Sequence, residues 1–250
     1  MSLVVEICAD SVESAIVAES SGAGRIELCS ALVEGGVTPS AGLIDSVRRN
    51  TGIKLHVLIR PRSGDFLYTD NEFSVMRRDI DMAGELGADG IVTGILNSDG
   101  TIDAERTALL AEYATPMSLT FHRAFDLCRD PKKGLEDIMA AGAARLLTSG
   151  QAKSALDGST LIKSLIKDAA GKIIIMPGGG IDEYNIALLA SSTGALEYHL
   201  SGRRQRESAM TFRKKGIYMG DPRLQSEYTL KSADSERIRS VIMILKGIVF

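Results

Sequence analysis

Apolar residues recur along this chain with two periods that take turns. Short aliphatic and β-branched runs, in which neighbouring side chains point to opposite faces, alternate with longer stretches whose apolar residues fall three or four apart. The short runs lie at 3–9, 25–30, 54–60, 90–95, 118–123, 145–150, 173–178 and 196–201. Eight strands alternating with helices predict an α/β fold, a single (β/α)8 TIM barrel spanning 1–250, and 250 residues suits one such barrel. A Gly-Ala pair precedes each even-numbered strand, beginning at Gly22, Gly87, Gly142 and Gly194, as expected where glycine ends a helix at positive φ. Asp70 is expected to cap a helix with Phe73, Met76, Ile80, Ala83 and Leu86 on one face and Gly87 as its stop. Asp10 and Glu13 are expected to form a capping box. The stretch 202–232 reads as long and irregular, and Ser235 to Lys246 as a final helix with Ile238, Val241, Ile242 and Leu245 on its apolar face.

The same alternation sorts strand side chains into those facing helices and those facing the barrel interior. Val5 and Ile7 in the first strand, and Ile26 and Leu28 in the second, face outward. That turns Glu6 with Cys8, and Glu27 with Cys29, into one compartment. In the third strand His56, Leu58 and Arg60 face inward, in the fifth Thr120 and His122, and in the eighth Glu197, His199 and Ser201. The fourth and sixth strands give no clear alternation. All three histidines therefore face the interior, with three glutamates and an arginine. An ionised carboxylate there costs several kcal/mol, roughly, unless it is paired. Glu6, Glu27 and Glu197 are expected either to form a buried ionic network with Arg60 and Arg123 or to bind a ligand. Barrel function concentrates at the C-terminal strand ends, which favours Cys8, Cys29, Arg60, His122, His199 and Ser201 and leaves His56 as a core histidine. His122 is a candidate general acid or base with Glu6, Glu27 or Glu197 as its partner, and Arg123 and Asp126 are polar neighbours in the next loop.

Neighbouring strands lie about 4.8 Å apart, so the thiols of Cys8 and Cys29 can approach closely. Soft thiolates select Cu(I), zinc or iron–sulfur centres, and a pair of thiols suits a low-coordinate soft ion, with His122 or His199 as a candidate third ligand. The alternative is a pair of small buried core cysteines. Cys128 falls beyond the fifth strand, outside this group. Pro177-Gly178-Gly179-Gly180 follows strand seven and Ser201-Gly202-Arg203-Arg204 follows strand eight, where many barrels bind phosphate. Gly178, Gly179, Gly180 and Ser201 thus form a candidate anion site, with Thr148 and Ser149 adding hydroxyl donors. Glycine there serves equally well as a turn residue. Arg62 and Asp65 are expected to pair across the loop after strand three.

A formal charge of −3 excludes the strong basicity of a nucleic-acid binder. No apolar run reaches the roughly 18 residues of a membrane span. The chain enters its strand pattern at Leu3 with no basic region, apolar core or cleavage site, which points to the cytoplasm. Three cysteines, an odd and sparse set, fit reduced thiols in that compartment. The basic run from Arg203 to Lys215 reads as a solvated face, with substrate contact as the alternative.

Taken together, Glu6-Ile7-Cys8, Arg25-Ile26-Glu27-Leu28-Cys29, Glu34-Gly35-Gly36 with Thr38-Pro39-Ser40, Ile59-Arg60-Pro61-Arg62 with Gly64-Asp65-Phe66, Thr120-Phe121-His122-Arg123-Ala124-Phe125-Asp126, Leu147-Thr148-Ser149-Gly150 and Met176-Pro177-Gly178-Gly179-Gly180 resemble the CutC copper homeostasis family. The resemblance runs over nearly the whole chain. It implies a (β/α)8 barrel, a cytoplasmic homo-oligomer of two or four chains, and copper buffering or delivery in which Cys8 and Cys29, matching the family's two strand cysteines, bind Cu(I). Ser63, where glycine is more familiar, and Gly202, where alanine is, depart from the pattern beside loops and leave the cysteine pair intact. The resemblance brings no agreed reaction. Glutamates, histidines and arginines beneath a glycine-rich loop exceed what a two-thiolate site requires. They keep open the alternative of a barrel enzyme acting on a small phosphorylated or anionic metabolite. A third alternative is an interaction scaffold docking through Ile248-Val249-Phe250.

Overall fold

The computed structural model describes residues 3–217, 219 and 226–248. Its centre is a ring of eight parallel strands: β1 (Val4–Ala9), β2 (Arg25–Leu28), β3 (Lys54–Leu58), β4 (Gly90–Thr93), β5 (Ser118–Phe121), β6 (Arg145–Thr148), β7 (Ile174–Pro177) and β8 (Glu197–Leu200). Each lies within the span expected from the sequence. Successive strands are neighbours, β1 pairs with β8 in the register Glu6 to His199, and a bridge between Gly178 and His199 joins β7 to β8. Each strand feeds a helix that covers the ring: α1 (Val12–Ser20), α2 (Ala41–Asn50), α3 (Asp70–Glu85), α4 (Ala104–Tyr113), α5 (Pro131–Ala140), α6 (Ser159–Ala169), α7 (Ile186–Thr193) and α8 (Ser235–Lys246). The barrel is thus a (β/α)8 TIM barrel. Gly22, Gly87, Gly142 and Gly194 all have positive φ, the left-handed step that lets each short connector leave a helix and enter an even-numbered strand.

Two caps differ from expectation by one residue. Thr69, rather than Asp70, caps α3: its hydroxyl accepts from Glu72 N at 3.2 Å while the Glu72 carboxylate accepts from Thr69 N at 2.7 Å. Ser11, rather than Asp10, caps α1, accepting from Ser14 N at 3.1 Å. Asp10 instead pairs with Arg203 at 2.7 Å. The stretch after β8 is also more regular than its sequence suggests. It contains an antiparallel pair, β9 (Arg203–Glu207) and β10 (Thr229–Ala233). Four of the five β9 residues are exposed, so no apolar alternation marks the strand. α8 has the expected bounds and buries Ile238, Val241, Ile242 and Leu245. Of the apolar ending, Val249 and Phe250 lie outside the described residues. Among the described residues no helix is long and apolar enough to cross a membrane.

The core has two compartments. Outward strand residues such as Ile7, Ile26, Leu28, Leu55, Val57 and Phe121 pack against helix residues such as Ile44, Met76, Ile80 and Ile162, all at most 2% exposed. Each such side chain contributes about 1.5–3 kcal/mol by leaving water. Inside the ring a separate small cluster joins Cys8, Cys29, Leu58 and Val92. Val92 settles the undecided face of β4, and Arg145 does so for β6 by reaching an acid on β8. The barrel interior is thus apolar near the thiols and ionic beneath them, an arrangement that fixes where chemistry can occur.

Candidate functional site

The deepest interior layer is an ion-pair lattice. Arg25 Nε donates to Glu6, and Arg25 Nη2 donates to Glu197 at 2.5 Å. Arg145 Nε donates to the same Glu197 oxygen at 2.9 Å, and His199 Nδ1 lies 2.7 Å from Glu6. The expected partners Arg60 and Arg123 take no part in this lattice, because both extend from strand ends into the mouth while Arg25 and Arg145 begin their strands lower in the barrel. Burial alone would raise the Glu6 carboxyl, but the His199 hydrogen bond and the Arg25 charge outweigh it and hold Glu6 well below the usual range. His56, as expected, is a core residue: burial depresses it to about 4, and a Cβ on Gly90 would lie within 2.8 Å of its ring.

Above the lattice, a cavity of about 400 Å³ opens at the C-terminal mouth. Cys8, Glu27 and His199 form its first wall. Parallel pairing sets Cys8 opposite Glu27, and Cys29 follows Leu28, which is opposite Ala9. Cys29 is therefore diagonal to Cys8, and their sulfurs stand 3.6 Å apart. Both residues are buried and unbridged. The Cys8 Sγ also lies 3.7 Å from Glu27 Oε1, and ligand atoms of Cys8, Glu27 and His199 fall within 4.8 Å of one another. The contact with Cys29, burial and the Glu27 charge push the Cys8 thiol well above its ordinary value. Burial pushes Glu27 up to about 7. His199, though penalised by burial, is raised well above an ordinary histidine by Glu27, Cys8 and Glu6. Gly36 backs the thiols at φ +90°, where a Cβ would lie 3.7 Å from Cys29 Sγ.

Arg60, Phe66 and His122 form the second wall. The Arg60 guanidinium donates to the carbonyls of Glu34 (3.0 Å), Gly36 (2.7 Å) and Gly64 (2.8 Å), pinning the loops after β2 and β3. It lies 5.1 Å from the centroid of the Phe66 ring, and Phe66 meets His122 edge-on at 4.9 Å. Arg62 and Asp65 pair at 3.0 Å, as expected. The polar cluster expected around His122 forms without it. Arg123 donates to Asp126 at 2.7 Å and to Ser149 Oγ at 2.9 Å, and Asp126 also accepts from Thr148 Oγ1 and the Ser149 amide.

Gly179, Gly180 and Ser201 line the remaining side, with Arg123. Gly179, at φ +109°, is tight against Arg123: a Cβ there would come within 3.3 Å of the guanidinium. Gly178 is not at the surface of the cavity. Its amide donates to Thr148 O at 2.9 Å, and Leu147 and His199 occupy the space where its side chain would be. Glu6 and Glu197 likewise lie below the cavity. The mouth therefore gathers Cys8, Glu27, Arg60, His122, His199, Gly179, Gly180 and Ser201, with Cys29 directly behind Cys8. Sequence reasoning missed Arg25 and Arg145. Arg25 was signalled by its position two residues before Glu27 on the same strand face; Arg145 had no such marker.

This arrangement offers soft sulfur donors beside an imidazole and a carboxylate, with cations across the cavity. Known proteins resemble the chain over most of its length. Residues 3–204 match the CutC family. Copper homeostasis protein cutC homologs of Mus musculus and Homo sapiens are each 48% identical over 246 residues, covering 98% of this chain and 90% of theirs. The crystal structure of a CutC protein from Streptococcus agalactiae superposes with a TM-score of 0.76 at 34% identity, covering 80% of this chain and 98% of that one. A phosphoribosylanthranilate isomerase from Pyrococcus furiosus, at 14% identity and a TM-score of 0.58, shares the fold alone. The chain belongs to the CutC family.

Proposed function

We propose that this protein takes part in copper homeostasis by binding Cu(I) between Cys8 and Cys29 and buffering or delivering the ion. The observation that carries the reading is the pair of buried sulfurs 3.6 Å apart. Metal–thiolate bonds of about 2.3 Å that meet at about 120°, the angle of a three-coordinate ion, separate their sulfurs by about 4.0 Å, so an opening of about 0.4 Å between these two admits one ion. Soft thiolates favour Cu(I) over the harder divalent ions. His199 is the candidate third ligand, because its ring approaches Cys8 from the cavity side while His122 stands on the other wall. The names of the mouse and human relatives support the same role. The reading includes a cytoplasmic location, where thiols such as Cys8, Cys29 and Cys128 stay reduced, and assembly into two or four chains, which light scattering would measure.

Anaerobic titration with Cu(I) against a competing chelator tests the proposal. Cys8→Ser and Cys29→Ser are each expected to weaken binding by at least about a hundredfold, as loss of one of two strong ligands does. Unchanged affinity in both variants removes the claim.

A further inference from the structure

The wall made by Arg60, Phe66 and His122 has features that a thiolate metal site does not use. Arg60 is 6% exposed, and its guanidinium bonds only carbonyl oxygens. Among the described residues it forms no ion pair with a carboxylate, and its Nε has no hydrogen-bond partner. Glu34, whose carbonyl it holds, is exposed at the rim. His122 is also 6% exposed. Its Nδ1 accepts the Ala124 N–H at 3.2 Å, so the proton of the neutral ring resides on Nε2, and that N–H too has no partner. Buried donors are almost always satisfied in folded proteins. Here two unsatisfied donors and an uncompensated positive charge belong to two residues that both pack against Phe66 in one cavity wall.

We propose that the mouth cavity binds a small organic molecule bearing an oxyanion, a carboxylate or a phosphate, whose charged group is received by Arg60 and His122. An anion supplies what the wall lacks: negative charge for the guanidinium and, once a small shift of the two side chains turns their buried N–H groups to the cavity, acceptor oxygens for both. The cavity's volume of about 400 Å³ is far larger than an ion needs and lies in the range of small-molecule pockets. Apolar Leu32, Leu58, Leu147 and Ile181, which also line it, would contact the body of the molecule. The inference is independent of copper, since it uses none of the sulfur ligands.

Calorimetric titration of the reduced, metal-free protein with inorganic phosphate, and separately with succinate, tests it. At least one of the two is expected to bind at a single saturable site; phosphate alone would assign phosphate esters, succinate alone carboxylates. His122→Phe, which keeps a ring against Phe66, and Arg60→Lys, which keeps a cation but removes the Nε–H, are each expected to weaken that binding about tenfold or more. In ¹⁵N-histidine-labelled wild type, the His122 Nε2 resonance should move on addition of the same anion, a readout that needs no variant to fold. Cys8→Ser/Cys29→Ser protein should bind the anion as wild type does, so failure of the copper reading would leave this one intact. Absence of saturable binding by both probes overturns the proposal. So does binding that leaves the His122 resonance unmoved and is unaltered in both variants.

Discussion

Replacing His122 by phenylalanine should make folding less sensitive to acid. Burial, joined by the Arg60 charge, depresses His122 to about 3 from the ordinary 6.5. Between those values the unfolded chain takes up a proton that the folded chain refuses, so this residue's contribution to stability is lost as pH falls from 6.5 toward 3. The full difference corresponds to about 5 kcal/mol at about 1.4 kcal/mol per pH unit. Over the accessible interval from pH 7 to pH 5, where the unfolded histidine passes from mostly neutral to mostly charged, the loss is about 2 kcal/mol. His122→Phe lacks this titration, and at neutral pH it should be the less stable protein because the Ala124 N–H loses its acceptor. Urea denaturation at the two pH values measures both chains, with unchanged m-values confirming a common unfolding reaction. The gap between wild type and variant should shrink by about 2 kcal/mol on going to pH 5. A gap independent of pH would mean that the ring already exchanges its proton freely with solvent, and would remove the buried Nε2 donor from the cavity wall.

Arg25→Met strands the buried carboxylates of Glu6 and Glu197 and should cost about 3–5 kcal/mol by equilibrium denaturation; a loss under about 1 kcal/mol would show that water reaches the lattice. Gly36→Ala places a Cβ 2.8 Å from Leu58 Cδ2 at φ +90°, so a loss of about 1–3 kcal/mol is expected in the same assay, and none if the loop has room to move. Because the Cys8 thiol is raised and so protonated at neutral pH, Cu(I) binding should release protons and strengthen from pH 6 to pH 8. Competition titrations that gave the same affinity at both ends of that range would argue against thiolate ligation.

The barrel was legible in the sequence because its strands are covered by helices, so Val5, Ile7, Ile26 and Leu28 announce one face and leave the polar residues to the other. The same rule turned Cys8, Glu27, His122 and His199 toward the mouth. It failed where that contrast is absent: β9 is polar on both faces and passed for a loop. Pairing partners were harder to read than faces. Alternation says that Glu197 points inward but not which arginine meets it, since that depends on the height of each residue along its strand. Arg25 and Arg145 enter low in the ring and reach Glu197; Arg60 and Arg123 leave high and hold loops. Cap positions slipped by one residue for a related reason, since Asp10 and Ser11 are both good caps and only the strand exit decides between them.

X-ray absorption at the copper edge of reduced protein loaded with one equivalent of Cu(I) tests the central claim most directly. Two sulfur neighbours are predicted around the ion, falling to one in Cys29→Ser. A copper environment of nitrogen and oxygen alone, or a spectrum unaltered in that variant, would contradict it.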